Sequence, residues 1–185
     1  MNTCEICGIE VYAGARGRKP RFCGGTCRVR SHRGWGIPSE LRSLPRWIRH
    51  RNKVPLTIQG NAASSTNPLT WTDFTKASQS QVGDGLGFVL NGDGIICIDL
   101  DHCFDGKPNA AAQALIDSLP KTYIEVSPSG TGLHIWGYAN LSKGRRFDRN
   151  GLSVEVYPNG RYLTVTGRAL TDAPFQHLDL VKILP

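Results

Sequence analysis

No stretch of the 185-residue chain approaches the ~20 consecutive apolar residues of a membrane-spanning helix. The opening Met1-Asn2-Thr3-Cys4 lacks the basic-then-apolar order of a secretory signal. These absences predict no membrane partner and a cytoplasmic location. No Gly-Lys-Ser/Thr follows a glycine-rich turn, which excludes a Walker-type phosphate loop. Acidic residues are scarce in the N-terminal third: residues 1–53 hold 3 Asp/Glu against 12 Lys/Arg, a balance of +9, whereas residues 54–185 hold 12 against 10, a balance of −2. So uneven a charge predicts a polyanionic partner docking beside a less basic body. The length allows one good core with a small accessory module.

Six cysteines in a reducing compartment argue for thiolate chemistry or metal rather than disulfides. Cys4-x2-Cys7 and Cys23-x3-Cys27 form two knuckles fifteen residues apart, a spacing that closes a tetrahedral zinc site, with His32 as a substitute ligand. A segment of about 30 residues cannot hold itself together by apolar burial, so the zinc would supply its folding free energy. Cys97 and Cys103 lack partner knuckles and read as buried thiols. Arg16, Arg18, Lys19 and Arg21 fill the loop between the knuckles, and Arg28, Arg30 and Arg33 fall on a short helix after Cys27. The run from Arg21 to Arg28 resembles small treble-clef or ribbon-type zinc modules, which often hold nucleic acid. Gly34 to Ser43 reads as a linker, dividing the chain into a basic zinc module at 1–36 and a main domain at 37–185.

In the main domain, Trp47-Ile48-Arg49 and Val54-Pro55-Leu56 read as an edge hairpin around Lys53. Thr70 or Thr72 caps a helix to about Ala77. Leu86–Leu90 and Ile95–Asp101 read as strands joined into a hairpin by the turn Asn91-Gly92-Asp93-Gly94. Asn109–Leu119 is the clearest helix, ended by Pro120, and Thr122–Val126 is the next strand. The turn Asn159-Gly160 predicts a second hairpin, between Val154-Glu155-Val156 and Tyr162–Thr166.

The chemistry gathers at the strand ends. Alternation along a strand puts Asp99 and Asp101 on one face, roughly 7 Å apart at the base of their side chains, while Ile96, Ile98 and Leu100 point into a core. Two adjacent carboxylates repel unless neutralised, and a hard divalent cation, Mg²⁺ or Mn²⁺, is the usual solution. Ser127-Pro128-Ser129-Gly130-Thr131-Gly132 leads into Leu133-His134; its glycines let backbone N–H groups turn toward an anion such as a triphosphate, with the Ser129 and Thr131 hydroxyls nearby. Glu155 is a third acid on its own strand.

The order Gly87-Phe88-Val89-Leu90, Ile98-Asp99-Leu100-Asp101-His102, Glu125 through His134, Val154-Glu155-Val156-Tyr157, and Gly160-Arg161-Tyr162 with Thr166-Gly167 resembles the archaeo-eukaryotic primase superfamily, specifically the primase-polymerase (prim-pol) domains of phage and plasmid replication proteins. Trp47, Lys53-Val54-Pro55 and Asn67-Pro68 with Trp71 match the preceding segment, so the resemblance runs from about residue 45 to 170. It implies an α+β fold around an RRM-like antiparallel sheet, with Asp99, Asp101 and Glu155 as ligands of catalytic Mg²⁺ or Mn²⁺. His134 then meets the phosphates of an incoming NTP or dNTP, helped by the loop of Ser127, Ser129, Gly130, Thr131 and Gly132. The family's middle motif is often Ser-x-His. Here Gly132 stands two before His134, which leaves open whether Ser127, Ser129 or Thr131 supplies the hydroxyl. Arg161 and Lys53 are further phosphate or template contacts, although a tight Asn159-Gly160 turn aims Arg161 away from Glu155.

Three carboxylates on two adjacent strands suit two Mg²⁺ about 4 Å apart, one activating a 3′-hydroxyl and one neutralising pyrophosphate. The expected activity is template-directed nucleotidyl transfer, as primase or polymerase, on single-stranded DNA with a replicative helicase as partner, in the host cytoplasm if phage-encoded. The chain lacks the downstream helicase motif set of the common prim-pol layout, and is either a stand-alone enzyme or a piece of a longer replication protein. The alternatives are a non-catalytic single-stranded DNA-binding accessory protein, whose mark would be a missing acid, and a metal-dependent nuclease, which paired acids also serve.

Overall fold

The structure, a computed structural model, describes residues 2–3, 10–11, 20–25, 28 and 36–185. Strands β1 (Asn2–Thr3) and β2 (Glu10–Val11) pair antiparallel. Cys4, Cys7, Cys27 and His32, the candidate zinc ligands, lie outside the described residues, as do Arg16, Arg18, Lys19, Arg30 and Arg33. Cys23 is described and exposed.

The remaining elements build an α+β fold of antiparallel sheets with few helices. Helix α1 (Ser39–Arg42) leads into the hairpin β3 (Trp47–Arg51) and β4 (Val54–Leu56). Its turn residues Asn52 and Lys53 both have positive φ, 48° and 65°, as a two-residue turn matched to strand twist requires. Helix α2 (Phe74–Gln79), β5 (Gly85–Asn91), β6 (Ile95–Asp101) and helix α3 (Ala110–Ser118) follow. Then come β7 (Ile124–Val126), β8 (Leu133–Tyr138), β9 (Arg145–Arg149), β10 (Leu152–Tyr157), β11 (Asn159–Val165) and β12 (Ala169–Thr171). One sheet has the order β12-β7-β8-β6-β10-β9 and the other β11-β5-β3-β4.

Strand alternation gives the larger sheet two apolar faces. Ile96, Ile98, Leu100, Leu133, Ile135, Val154 and Val156 pack on Ala112 and Leu115 of α3. That helix starts at Asn109, whose side chain accepts from the Ala112 N–H at 2.9 Å. On the opposite face Cys97, Tyr123 and Trp136 meet Trp47, Phe88 and Leu90 of the smaller sheet, with the Phe88 and Trp136 rings edge to face at 6.1 Å.

Neither hairpin expected at the Asn-Gly turns forms. β5 pairs with β3 and β11, while β6 pairs with β8 and β10. The two connections cross between sheets side by side: Asn91 is registered with Asn159, the Gly92 N–H donates to the Pro158 carbonyl at 3.0 Å, and Cys97 is registered with Tyr157. β5–β6 and β11–β10 thus run side by side as they leave one sheet and enter the other, with the bend at residues 92–94 lying against Pro158. Arg46, 4% exposed, braces the crossing: its guanidinium holds Asp93 at 2.7 Å and Asn91, and lies 4.8 Å from the Phe88 ring centroid. The expected linker is also packed structure, since Ile37 and Leu41 are core residues and Trp47 Nε1 donates to the Leu41 carbonyl at 3.1 Å. Asp73, not Thr70 or Thr72, caps α2 by accepting from the Lys76 N–H at 2.9 Å, and Thr70 ends a 3-10 turn. Strand β7 begins at Ile124 rather than Thr122, and the Thr122 hydroxyl donates to the Trp136 carbonyl at 2.6 Å.

Candidate active site

Strand registry sets five charged or ionisable side chains in one row across the larger sheet: Glu125 (β7), His134 (β8), Asp99 (β6), Glu155 (β10) and Arg146 (β9). Partners in register on adjacent antiparallel strands share a face, so the row projects from the side that looks toward the smaller sheet. His134 Nδ1 lies 3.3 Å from Glu125 Oε1 and its Nε2 lies 3.6 Å from Asp99 Oδ1. Arg146 Nε donates to Glu155 Oε1 at 3.0 Å, and the Tyr157 hydroxyl donates to the other oxygen of Glu155.

The row opens into a cavity of about 540 Å³ between the sheets. Asp99, Asp101, Glu155 and His134 line it from the larger sheet, and His50, Lys53, Arg161 and Tyr162 from the smaller. The Tyr162 hydroxyl donates to the Lys53 carbonyl and its ring stacks on His50 at 6.1 Å, which fixes this wall. Arg161 faces the cavity, its guanidinium 5.0 Å from the Tyr157 ring centroid. The tight turn expected to aim it away is absent: the β10–β11 connection is a sheet crossing with a register shift between Asn159 and Arg161.

The serine-glycine loop borders the same cavity with Ser127, Ser129 and Thr131. Their hydroxyls form a chain, Ser127 to Ser129 at 3.0 Å and Ser129 to Thr131 at 3.0 Å. Outward-pointing backbone donors are not found at Gly130, Thr131 and Gly132: their N–H groups donate to the Ser127 carbonyl, Ser129 Oγ and Ser127 Oγ. The turn closes on itself, so hydroxyls rather than amides are what these residues offer an anion. Gly132 is required by space, because a Cβ there would lie 2.5 Å from the Leu100 carbonyl oxygen and 3.0 Å from Ser127 Oγ.

Burial pushes the Asp99 carboxyl above the usual range; His134 and Lys53 oppose the shift, and the charges of Asp101 and Glu155 add to it. For His134 burial works downward, but the hydrogen bond and charge of Glu125, with the charge of Asp99 and a hydrogen bond to the Thr164 backbone, outweigh it and raise the imidazole. Burial and the bond to Glu155 lift the Tyr157 phenol to about 12. Asp99, Asp101 and Glu155 are hard oxygen donors facing one cavity, the donor type that a hard divalent cation takes. The donor chemistry therefore fits Mg²⁺ or Mn²⁺, although among the described residues no three His, Cys, Asp or Glu side chains stand grouped as ligands of one ion.

The sequence reading named Asp99, Asp101, His134, Glu155, Ser127, Ser129, Thr131, Lys53 and Arg161, which all reach the cavity, and Gly130 and Gly132, which do not line it. It gave no role to Glu125, Arg146, Tyr157, Tyr162, His50 or His102. Glu125 between Ile124 and Val126 carries the same apolar-acid-apolar signal as Glu155, but only the cross-strand register puts it beside His134.

No family model matches the chain. The chain is 40% identical over 134 residues to a protein of Nitratiruptor phage NrS-1 described as a DNA primase-polymerase, an alignment covering 65% of this chain and 18% of that protein. The chain spans less than a fifth of the length of this relative. Over the aligned stretch the chain is similar to a phage protein described as a DNA primase-polymerase.

Proposed function

We propose that the chain carries out template-directed nucleotidyl transfer as a DNA primase, a DNA polymerase or both, in phage or plasmid replication. The observation that carries this reading is the convergence of Asp99, Asp101, Glu155 and His134 with the Ser127–Thr131 hydroxyls on one cavity. The larger sheet, backed by α3 and bearing the acids on the face that lines the cavity, supports an RRM-like catalytic core of the primase type. Asp99, Asp101 and Glu155 would hold two divalent cations, Mg²⁺ or Mn²⁺, which when bound favour ionisation of a primer 3′-hydroxyl and offset the charge of departing pyrophosphate.

The protein's own groups do the rest. His134, at the wall of the cavity, offers Nε2 to the phosphates, and the hydroxyls of Ser127, Ser129 and Thr131 supply short donors on the same side. Holding the triphosphate against the acids aligns it for in-line attack. Lys53 and Arg161 on the facing sheet supply positive charge where phosphates enter. The N-terminal module, residues 1–36, is proposed to carry a structural zinc on Cys4, Cys7, Cys23 and Cys27 and to grip single-stranded template through its arginines. A replicative helicase is the natural partner, and the setting is the cytoplasm; no helix among the described residues is long and apolar enough to cross a membrane.

The test uses labelled NTPs or dNTPs, single-stranded templates with and without primer, and Mg²⁺ or Mn²⁺. Extension products are expected. Asp99→Ala, Asp101→Ala and Glu155→Ala should each lower the rate by at least ~10³ while template binding survives. Full polymerisation by Asp99→Ala would overturn the assignment of the acids, and none by the wild type under any condition would leave a DNA-binding accessory role in its place; template cleavage without synthesis would indicate a nuclease.

A further inference from the structure

Glu125 is buried at 0% exposure in the middle of β7, and the chemistry proposed above makes no use of it. Its two oxygens are divided between two tasks. Oε2 accepts from the Tyr123 hydroxyl at 3.1 Å, the Thr166 N–H at 3.0 Å, the Thr166 hydroxyl at 3.1 Å and the Gly167 N–H at 2.9 Å. Oε1 faces His134 Nδ1 at 3.3 Å. A buried carboxylate needs compensating donors, and three of the four on Oε2, those of Thr166 and Gly167, join β7 to the turn after β11. The Oε1 contact does something else. A half-turn of the imidazole about its Cβ–Cγ bond would exchange Nδ1 for a carbon and remove Nε2 from its place 3.6 Å from Asp99 Oδ1. An acceptor-only partner at Nδ1 prevents that exchange and requires the proton on Nδ1.

We propose that Glu125 is a positioning residue that acts through His134: its Oε1 holds the proton on Nδ1 and the ring in one orientation, so that Nε2 is the nitrogen presented to the nucleotide phosphates. The proposal rests on the reading of His134 as a phosphate contact, and its experiment separates the two. Glu125→Gln keeps the volume and, with its amide oxygen in the Oε2 place, the four donors there. Its NH₂ then faces Nδ1, which can only accept.

The first measurement is the ¹⁵N spectrum of the His134 ring in the metal-free protein. Nδ1 should carry the proton in the wild type and a lone pair in Glu125→Gln. A wild-type ring protonated at Nε2 alone overturns the proposal without any variant having to fold. The second is a double-mutant cycle on primer extension. Glu125→Gln should raise the nucleotide KM by about tenfold with a smaller change in kcat, and should add nothing in a His134→Ala background. An equal loss in both backgrounds would make Glu125 a structural residue and sink the idea. If the wild type forms no nucleotide bonds, the functional reading falls while the ring spectrum still decides what Glu125 does.

Discussion

Position 132 has no room for a side chain, because the Leu100 carbonyl closes over it. Restoring the family's Ser-x-His pattern with Gly132→Ser is therefore expected to harm rather than help. Forcing a side chain into that contact should cost about 1–3 kcal/mol in urea unfolding and displace the Ser127 hydroxyl from the cavity. A Gly132→Ser protein as stable as the parent would contradict this account. His134→Ala should act chiefly on nucleotide binding, raising the apparent KM more than it lowers kcat, since the ring lies at the phosphate end of the proposed site. Arg146 offers a contrast. Its guanidinium pairs with Glu155 from an exposed position, 74% accessible, so Arg146→Ala should move thermal stability by less than about 0.5 kcal/mol, and any loss of activity would then report on Glu155 rather than on folding.

At the level of elements, the paired crossing of β5–β6 and β11–β10 decides where everything else goes, and Arg46 is the side chain that braces it. Arg46 is nearly fully buried between Asp93, Asn91 and the Phe88 ring, so Arg46→Ala loses packing and leaves Asp93 without its partner. A cost of about 2–4 kcal/mol is expected in denaturant unfolding, larger than for Lys76→Ala, whose ion pair with Asp73 is exposed. The same crossing marks the limit of what the sequence discloses. Alternation of Ile96, Ile98 and Leu100 against Asp99 and Asp101 is a local signal, and the acids fall on one face as expected. The Asn-Gly turns are local signals too, but turn chemistry says that the chain bends and not which strand it meets next. Both were read as hairpins, and both turned out to be crossings. The error over residues 36–43 has the same root: Ile37 and Leu41 are too few to read as an apolar stripe, and their burial depends on Trp47 and Phe175 arriving from elsewhere. Arg161 was aimed the wrong way because its direction followed from the misread turn.

Across the whole molecule the charge is lopsided, with +9 in residues 1–53 and −2 in the rest, so affinity for a polynucleotide should come mainly from the N-terminal third. If four of its arginines and lysines meet phosphates, the log–log dependence of single-stranded DNA binding on salt should have a slope of about −3, and removing residues 1–33 should flatten it. An unchanged slope would move the grip to the main domain. Metal analysis of protein purified without added zinc should find about one equivalent, and none should remain after Cys4→Ser with Cys7→Ser. Motif order was legible over the stretch that carries the acids; the second sheet, which supplies the opposite wall, was not, because nothing in β3, β4, β5 or β11 announces a separate sheet. That wall and the acid wall are nevertheless one piece of chain. Glu155 and Arg161 lie on either side of Pro158 on one continuous run of chain, so the spacing between the acid wall and the basic wall is set by a crossing that the shared core of the two sheets holds in place. A substitution that repacks the crossing around Asn91–Gly94 and Pro158 is therefore expected to move Arg161 relative to Glu155 and so to change the gauge of the cleft.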